Sequence, residues 1–311
     1  MTPSSPAPIH LQDASHQMEA TVEPGLGNIA TSLRVRGEEV LWMPENWNRA
    51  SLAGVPFLAP WANRLDQDAF YANGKKYFLN PGLGNFRRDG GGLPIHGLLA
   101  FSPYWKTVAQ KPDQTTSRLE FWRYPELMAQ FPFAHSIEMT YALGEGALEV
   151  RTRVENHAVE PMPLAIGFHP YFRLTDSPRD AWKVHLGARD HVELTPGLVP
   201  TGRRTAVTLP DPAPLAGTVL DDVFTNLVRD AHGRAEVRLE GPRQKLTVVF
   251  GPKYAVAVVY APAGREFVCI EPMTAVTNAF QLAHDGRYKE LQSVPAGGVW
   301  QESYWIVLSG F

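Results

Sequence analysis

Apolar and polar residues alternate with a period of two along most of this chain, which leaves little room for anything but antiparallel β-sheet. In the run 148–155, Leu148, Val150, Thr152 and Val154 fall on one side and Glu149, Arg151, Arg153 and Glu155 on the other. Successive strand side chains point to opposite faces, so this is a strand with one dry side. Just upstream, Ile137, Met139 and Tyr141 alternate with Glu138 and Thr140, and Gly144-Glu145-Gly146 lies between the two runs. That combination predicts a hairpin. Further strands are expected at 119–124, 182–186, 236–239, 246–250, 256–260, 267–271 and 304–308.

Several of these runs, such as Ala255-Val256-Ala257-Val258-Val259-Tyr260, are apolar on both faces and must be covered on both, as in the middle of a large sandwich. Helical periodicity is scarce, with a turn or two expected over 125–130 behind Pro125. Strands do not alternate with helices, which disfavours a doubly wound α/β sheet. No repeat or linker tract follows residue 20, so the expected organisation is a flexible segment over 1–19 and one antiparallel all-β domain over 20–311.

The 311 residues carry a net charge of −3, and no Lys/Arg block of five occurs, so nothing in the bulk field attracts nucleic acid or an anionic membrane. The single cysteine, Cys269, excludes an internal disulfide and a cysteine-based zinc site, and its apolar neighbours place it in the core. Residues 1–17 lack the apolar stretch of a signal peptide, and no run of 18 apolar residues follows, so a cytoplasmic location is the default expectation. The sequence leaves monomer and homodimer both open.

Five segments set polar or ionisable residues among apolar or turn-forming ones: Pro60-Trp61-Ala62-Asn63-Arg64-Leu65, Gly90 to Gly97 with His96, Ile166-Gly167-Phe168-His169-Pro170-Tyr171-Phe172, Leu220-Asp221-Asp222-Val223-Phe224, and Phe267 to Pro272 with Glu271. His169 and Glu271 each end an apolar stretch and each precede a proline. Proline holds the preceding residue extended and donates no ladder bond, so each side chain is expected on a stiff strand end where pairing stops.

Each residue also has a plain structural reading. His169 can bond a backbone group, Glu271 can pair with Arg64, Asp221 can cap a turn, and His96 can be a turn residue. As a set they suit sugar chemistry. An imidazole and a carboxyl can trade protons, Arg and Asp can hold hydroxyls, and Trp61, Phe168, Tyr171 and Phe172 can offer apolar faces to a pyranose. His185 and His191 lack metal-ligand spacing, and no serine-nucleophile, phosphate-loop, dinucleotide or zinc-protease motif is present. Neither a metal nor an organic cofactor is expected.

From about residue 20 to the C-terminus the five segments, in this order, resemble the aldose 1-epimerase (galactose mutarotase-like) family. The resemblance rests on Asn63-Arg64, Ile95-His96-Gly97, His169-Pro170-Tyr171-Phe172, Glu271-Pro272 and Thr277-Asn278-Ala279-Phe280. It implies a β-supersandwich with an open sugar site. By the same resemblance Glu271 is the base on the anomeric hydroxyl, His169 the acid on the ring oxygen and His96 its helper. Arg64, with Asn63, and Asp221 or the adjacent Asp222 would hold hydroxyls, with Tyr171 beside them. Leu98-Leu99 after His96-Gly97, and Val223-Phe224 after the aspartates, depart from the pattern of the galactose mutarotases and bear on the substrate. Arg87-Arg88 would suit a phosphate, as in a hexose 6-phosphate epimerase. A sugar-binding protein without catalysis is the further alternative.

Overall fold

The computed structural model describes residues 6–48 and 51–311. Two large antiparallel sheets dominate it. One has nine strands in the order Lys106–Lys111, Gln114–Glu120, His135–Gly144, Ala147–Asn156, Val299–Ser309, Lys245–Phe250, Ala235–Glu240, Lys183–His185 and Ala213–Pro214. The other runs Pro200–Ala206, Ala188–Leu194, Leu220–Leu227, Val256–Ala261, Val268–Met273, Gly167–Phe168 and Phe57–Leu58, with Tyr171–Phe172 also on Val268–Met273. This is the sandwich that the alternation predicts. The chain is all-β, with short helices at Pro125–Met128 and Ala279–His284.

The predicted hairpin closes with Gly144 opposite Ala147. Its two loop residues, Glu145 and Gly146, have φ of 52° and 74°. Positive φ at both central positions is the turn whose twist matches the flanking strands. Between the sheets Phe168 meets Tyr304, their rings 4.9 Å apart. Residues sharing a face with Phe168 therefore point inward, and the alternate set, including His169, points out from the sandwich. Strand Val256–Ala261 is buried along nearly its whole length, as its two apolar faces require.

Three expectations change. Residues 9–19, placed in a flexible segment, form the strand Ile9–Asp13 and the start of Met18–Glu23. Ile9, Leu11 and Met18 are buried there, and residues 1–5 of that segment lie outside the described residues. The strand expected over 119–124 is Gln114–Glu120, and Phe121–Arg123 turns into a 3₁₀ helix ahead of Pro125. Finally, pairing does not stop at Glu271. Pro272 lies opposite Ala257 and Met273 opposite Val256, so the strand runs on through the proline.

Candidate active site

The interruption sits instead on the neighbouring strand. Tyr171 lies opposite Cys269 and Gly167 opposite Met273, and the register between them sets His169 across from Glu271. There the ladder is broken by Pro170, and the His169 amide bonds Pro56 O at 3.0 Å instead. The gap leaves imidazole and carboxyl facing each other, His169 Nε2 3.3 Å from Glu271 Oε1. Both residues are more than nine-tenths buried.

Two further strands complete the floor. Asp221 lies opposite Tyr260, and Tyr260 opposite Cys269, so one row across the outer face reads Asp221, Tyr260, Cys269, Tyr171. Tyr171 stacks on the His169 ring at 4.7 Å, and Tyr260 meets that ring edge-on at 6.1 Å. Tyr260 was not singled out in the sequence. Its only signal is its place at the end of the strand expected over 256–260, two residues from Val258, which the structure sets opposite Glu271.

The wall comes from the chain beyond the edge strand Phe57–Leu58. Arg64 bridges to Ile95, His96 N donates to Asn63 O at 2.9 Å, and Leu65 N donates to Pro94 O at 2.9 Å. Asn63 and His96 both take the left-handed conformation, at φ of 57° and 62°, which turns these segments toward the cavity. Gly97 is needed next to His96, since a Cβ there would meet Ala59 O at 2.2 Å. The two histidine rings stand edge-to-face at 5.4 Å. Arg64 Nε donates to Asp89 Oδ2 at 2.6 Å, and its Nη1 donates to Asn63 Oδ1 at 3.0 Å.

Together these residues line a cavity of about 320 Å³ that holds Asn63, Arg64, His96, His169, Tyr171, Asp221 and Glu271, with Arg87, Arg88, Asp89 and Tyr260 at its sides. Of the predicted residues, Asp222 is excluded. It faces the other side of its strand, where its Oδ1 lies 2.7 Å from His191 Nε2. The structure thereby separates two aspartates that the sequence left equivalent. Trp61, Phe168 and Phe172, also expected at the site, do not line the cavity, and their rings are packed in the core. Arg88 lines the cavity but spends both Nη groups on Asp68, at 2.8 and 2.7 Å.

Burial dominates the electrostatics. It pushes the Glu271 carboxyl well above its ordinary range, reinforced by Asp221 and opposed by Arg64. It pushes His169 down to about 3, with Arg64 acting in the same direction. His96 is held well below its ordinary value by burial, then by His169, Arg64 and Arg87. Burial raises Asp221 too, against the pull of Arg64. Among the described residues, Glu271 Oε2, His169 Nδ1 and His96 Nδ1 are buried without a hydrogen-bond partner. Buried polar atoms are normally satisfied, and these three orphans sit on residues that line one cavity.

No helix among the described residues is long and apolar enough to cross a membrane. Comparison with known proteins bears on the fold and the family. The chain is 23% identical over 226 residues to the uncharacterized protein YphB of Escherichia coli K12, covering 70% of this chain and 71% of that protein. A galactose mutarotase-like protein from Clostridium acetobutylicum superposes with a TM-score of 0.84 at 19% identity, covering 98% of this chain and 99% of the other. A galactose 1-epimerase from Lactobacillus acidophilus NCFM does so with a TM-score of 0.73 at 14% identity, covering 98% and 95%. The aldose 1-epimerase family profile matches residues 9–306, and the chain belongs to that family.

Proposed function

We propose that the protein is an aldose 1-epimerase that interconverts the α and β anomers of a free aldohexose such as glucose or galactose by acid–base ring opening. The observation that carries this reading is the dry contact of His169 Nε2 with Glu271 Oε1 at 3.3 Å, inside a cavity with Arg64 and Asp221 on its walls. Opening a hemiacetal requires one proton taken from O1 and one given to the ring oxygen. A carboxyl–imidazole pair that holds one proton between its two sites does both without changing its own charge.

Burial disfavours carboxylate and imidazolium alike, which raises Glu271, lowers His169 and so favours the neutral pair with its proton on the carboxyl. The roles assigned to the two residues need that proton moved across the gap onto His169. Arg64 assists by favouring the Glu271 anion, and sugar hydroxyls give the orphaned atoms partners. Glu271 then takes the O1 proton, C1–O1 becomes a carbonyl, C1–O5 breaks, and O5 receives the proton from His169 Nε2. Rotation about C1–C2 and reclosure on the other face returns both protons. His96 assists at the ring oxygen, Arg64 and Asp221 hold hydroxyls, and Asn63 and Tyr171 fix Arg64 and His169.

The test is the decay of optical rotation of freshly dissolved α-D-glucose and α-D-galactose with catalytic amounts of protein, across pH. Acceleration is expected, with no inflection in kcat/KM at an ordinary imidazole value, because burial holds His169 down at about 3. A rate equal to the spontaneous one would sink the reading, and binding without acceleration would make the protein a sugar carrier. A second reading, a hexose 6-phosphate as substrate, is favoured by Arg87 at the cavity side, so glucose 6-phosphate belongs in the same panel.

A further inference from the structure

We propose that Asp89, which lies outside every motif singled out in the sequence, is a positioning residue that holds Arg64 and His96 as one unit. The inference rests on the epimerase reading above for what those two residues do. Asp89 uses both carboxylate oxygens. Oδ2 accepts from Arg64 Nε at 2.6 Å, while Oδ1 accepts from the amides of Gly91 and Leu93, both at 2.9 Å. Its own amide donates to Leu93 O at 2.9 Å, so the glycine-rich loop is closed on this one residue.

That loop leads straight into Pro94, Ile95 and His96, which pair with Asn63, Arg64 and Leu65. The bonds therefore form a ring, from the Arg64 side chain through Asp89 to the loop, on to the His96 turn, and back to the Arg64 backbone. Cutting it at Asp89 frees the guanidinium and loosens the turn together. Both partners are sheltered, at 14% and 12% side-chain exposure. Such a pair is weakly screened and rigid, unlike a surface ion pair. With Nε on Asp89 and Nη1 on Asn63, Nη2 is engaged by neither and is the donor presented to a ligand.

A competing reading makes Asp89 only a loop staple. Asp89→Asn separates the two, because an asparagine Oδ1 still accepts from Gly91 and Leu93 while the charge that holds Arg64 is gone. Positioning predicts a fall of ~10–100-fold in kcat/KM for α-D-glucose or α-D-galactose, with KM raised and kcat lowered, at little cost in melting temperature. Asp89→Glu should recover most of that loss. The Glu271 carboxyl, followed by ¹³C NMR on glutamate-labelled protein, should titrate still higher in Asp89→Asn, because a released Arg64 no longer favours its anion.

A Glu271 titration that is unmoved or moves down would overturn the proposal, since Arg64 would then have kept its place. So would a variant with wild-type kinetics, or an Asp89→Glu no better than Asp89→Asn. Wild-type protein that mutarotates neither sugar would sink the proposed function instead, and the Glu271 titration would still decide on Asp89.

Discussion

Each large sheet carries a cluster of ionisable side chains on the face turned away from the other, and the two clusters are treated in opposite ways. On the nine-stranded sheet, Arg118 donates to Glu120 at 2.6 Å, Glu138 at 2.7 Å, Ser136 at 2.6 Å and Glu155 at 2.7 Å. The bonds from Arg118, Arg153 and Ser136 outweigh the effect of burial and hold Glu155 down at about 2. On the eight-stranded sheet, Glu271 and His169 are drier, carry orphaned atoms and are both pushed toward neutrality. Paired charge reads as stability, and a neutralised pair with unpartnered atoms as a candidate site.

The sharpest way to break this contrast is Glu271→Gln. On the proposed mechanism kcat falls ~10³-fold, the usual range for losing a general base being about 10²–10⁴. The melting temperature should hold or rise, because the amide has no charged form for burial to disfavour. Calorimetry and optical rotation on one preparation check both, and retained activity would remove Glu271 from the chemistry.

Arg118→Ala should do the reverse. Three carboxylates lose their shared partner, and ~1–3 kcal/mol of stability should go with it, while kinetics of the folded protein stay at wild type. Chemical denaturation followed by an activity assay measures the two. A kinetic loss at constant fold would mean that the sheets are coupled.

The same contrast explains what could be read in advance. Alternation along 148–155 shows in the sequence because one face is wet, and a period of two survives wherever water meets one side only. Glu271 and His169 show for the opposite reason, as charged residues set in apolar runs. Their mutual approach was not legible, since it depends on a register set from both sides of Pro170. The proline argument held for His169 and failed for Glu271, whose strand tolerates Pro272. Asp89 was invisible because its role depends on Arg64, 25 residues away along the chain. Adjacent aspartates cannot be ranked by type, yet strand parity sends Asp221 to the cavity and Asp222 to His191.

That parity gives the next prediction. Asp221→Asn should lower kcat/KM by ~10-fold, the cost of one hydroxyl contact at about 1.4 kcal/mol, and Asp222→Asn should leave it unchanged. Equal losses would mean that the strand slips or that both aspartates serve the sugar.

The smallest effect tests the electrostatic contrast itself, through the pH dependence of stability. Glu155 is depressed on folding, so it contributes stability that is present above its unfolded value near 4.5 and lost as pH falls through about 2. Glu155→Gln should therefore be destabilised by ~1 kcal/mol at neutral pH, a figure discounted for solvent screening at this half-buried surface, and should converge on wild type in acid. Glu271 is raised on folding, so its contribution is fully present below its unfolded value and is lost as pH rises toward its folded one. Glu271→Gln should match wild type most closely in mild acid and gain on it as pH climbs above 4.5, because only the wild-type unfolded chain gives up that proton easily. Urea midpoints of the two variants and wild type at a series of pH values should diverge with opposite signs. Parallel curves would mean that the two carboxyls sit in equivalent surroundings, and the distinction between a paired charge and a neutralised one would fail.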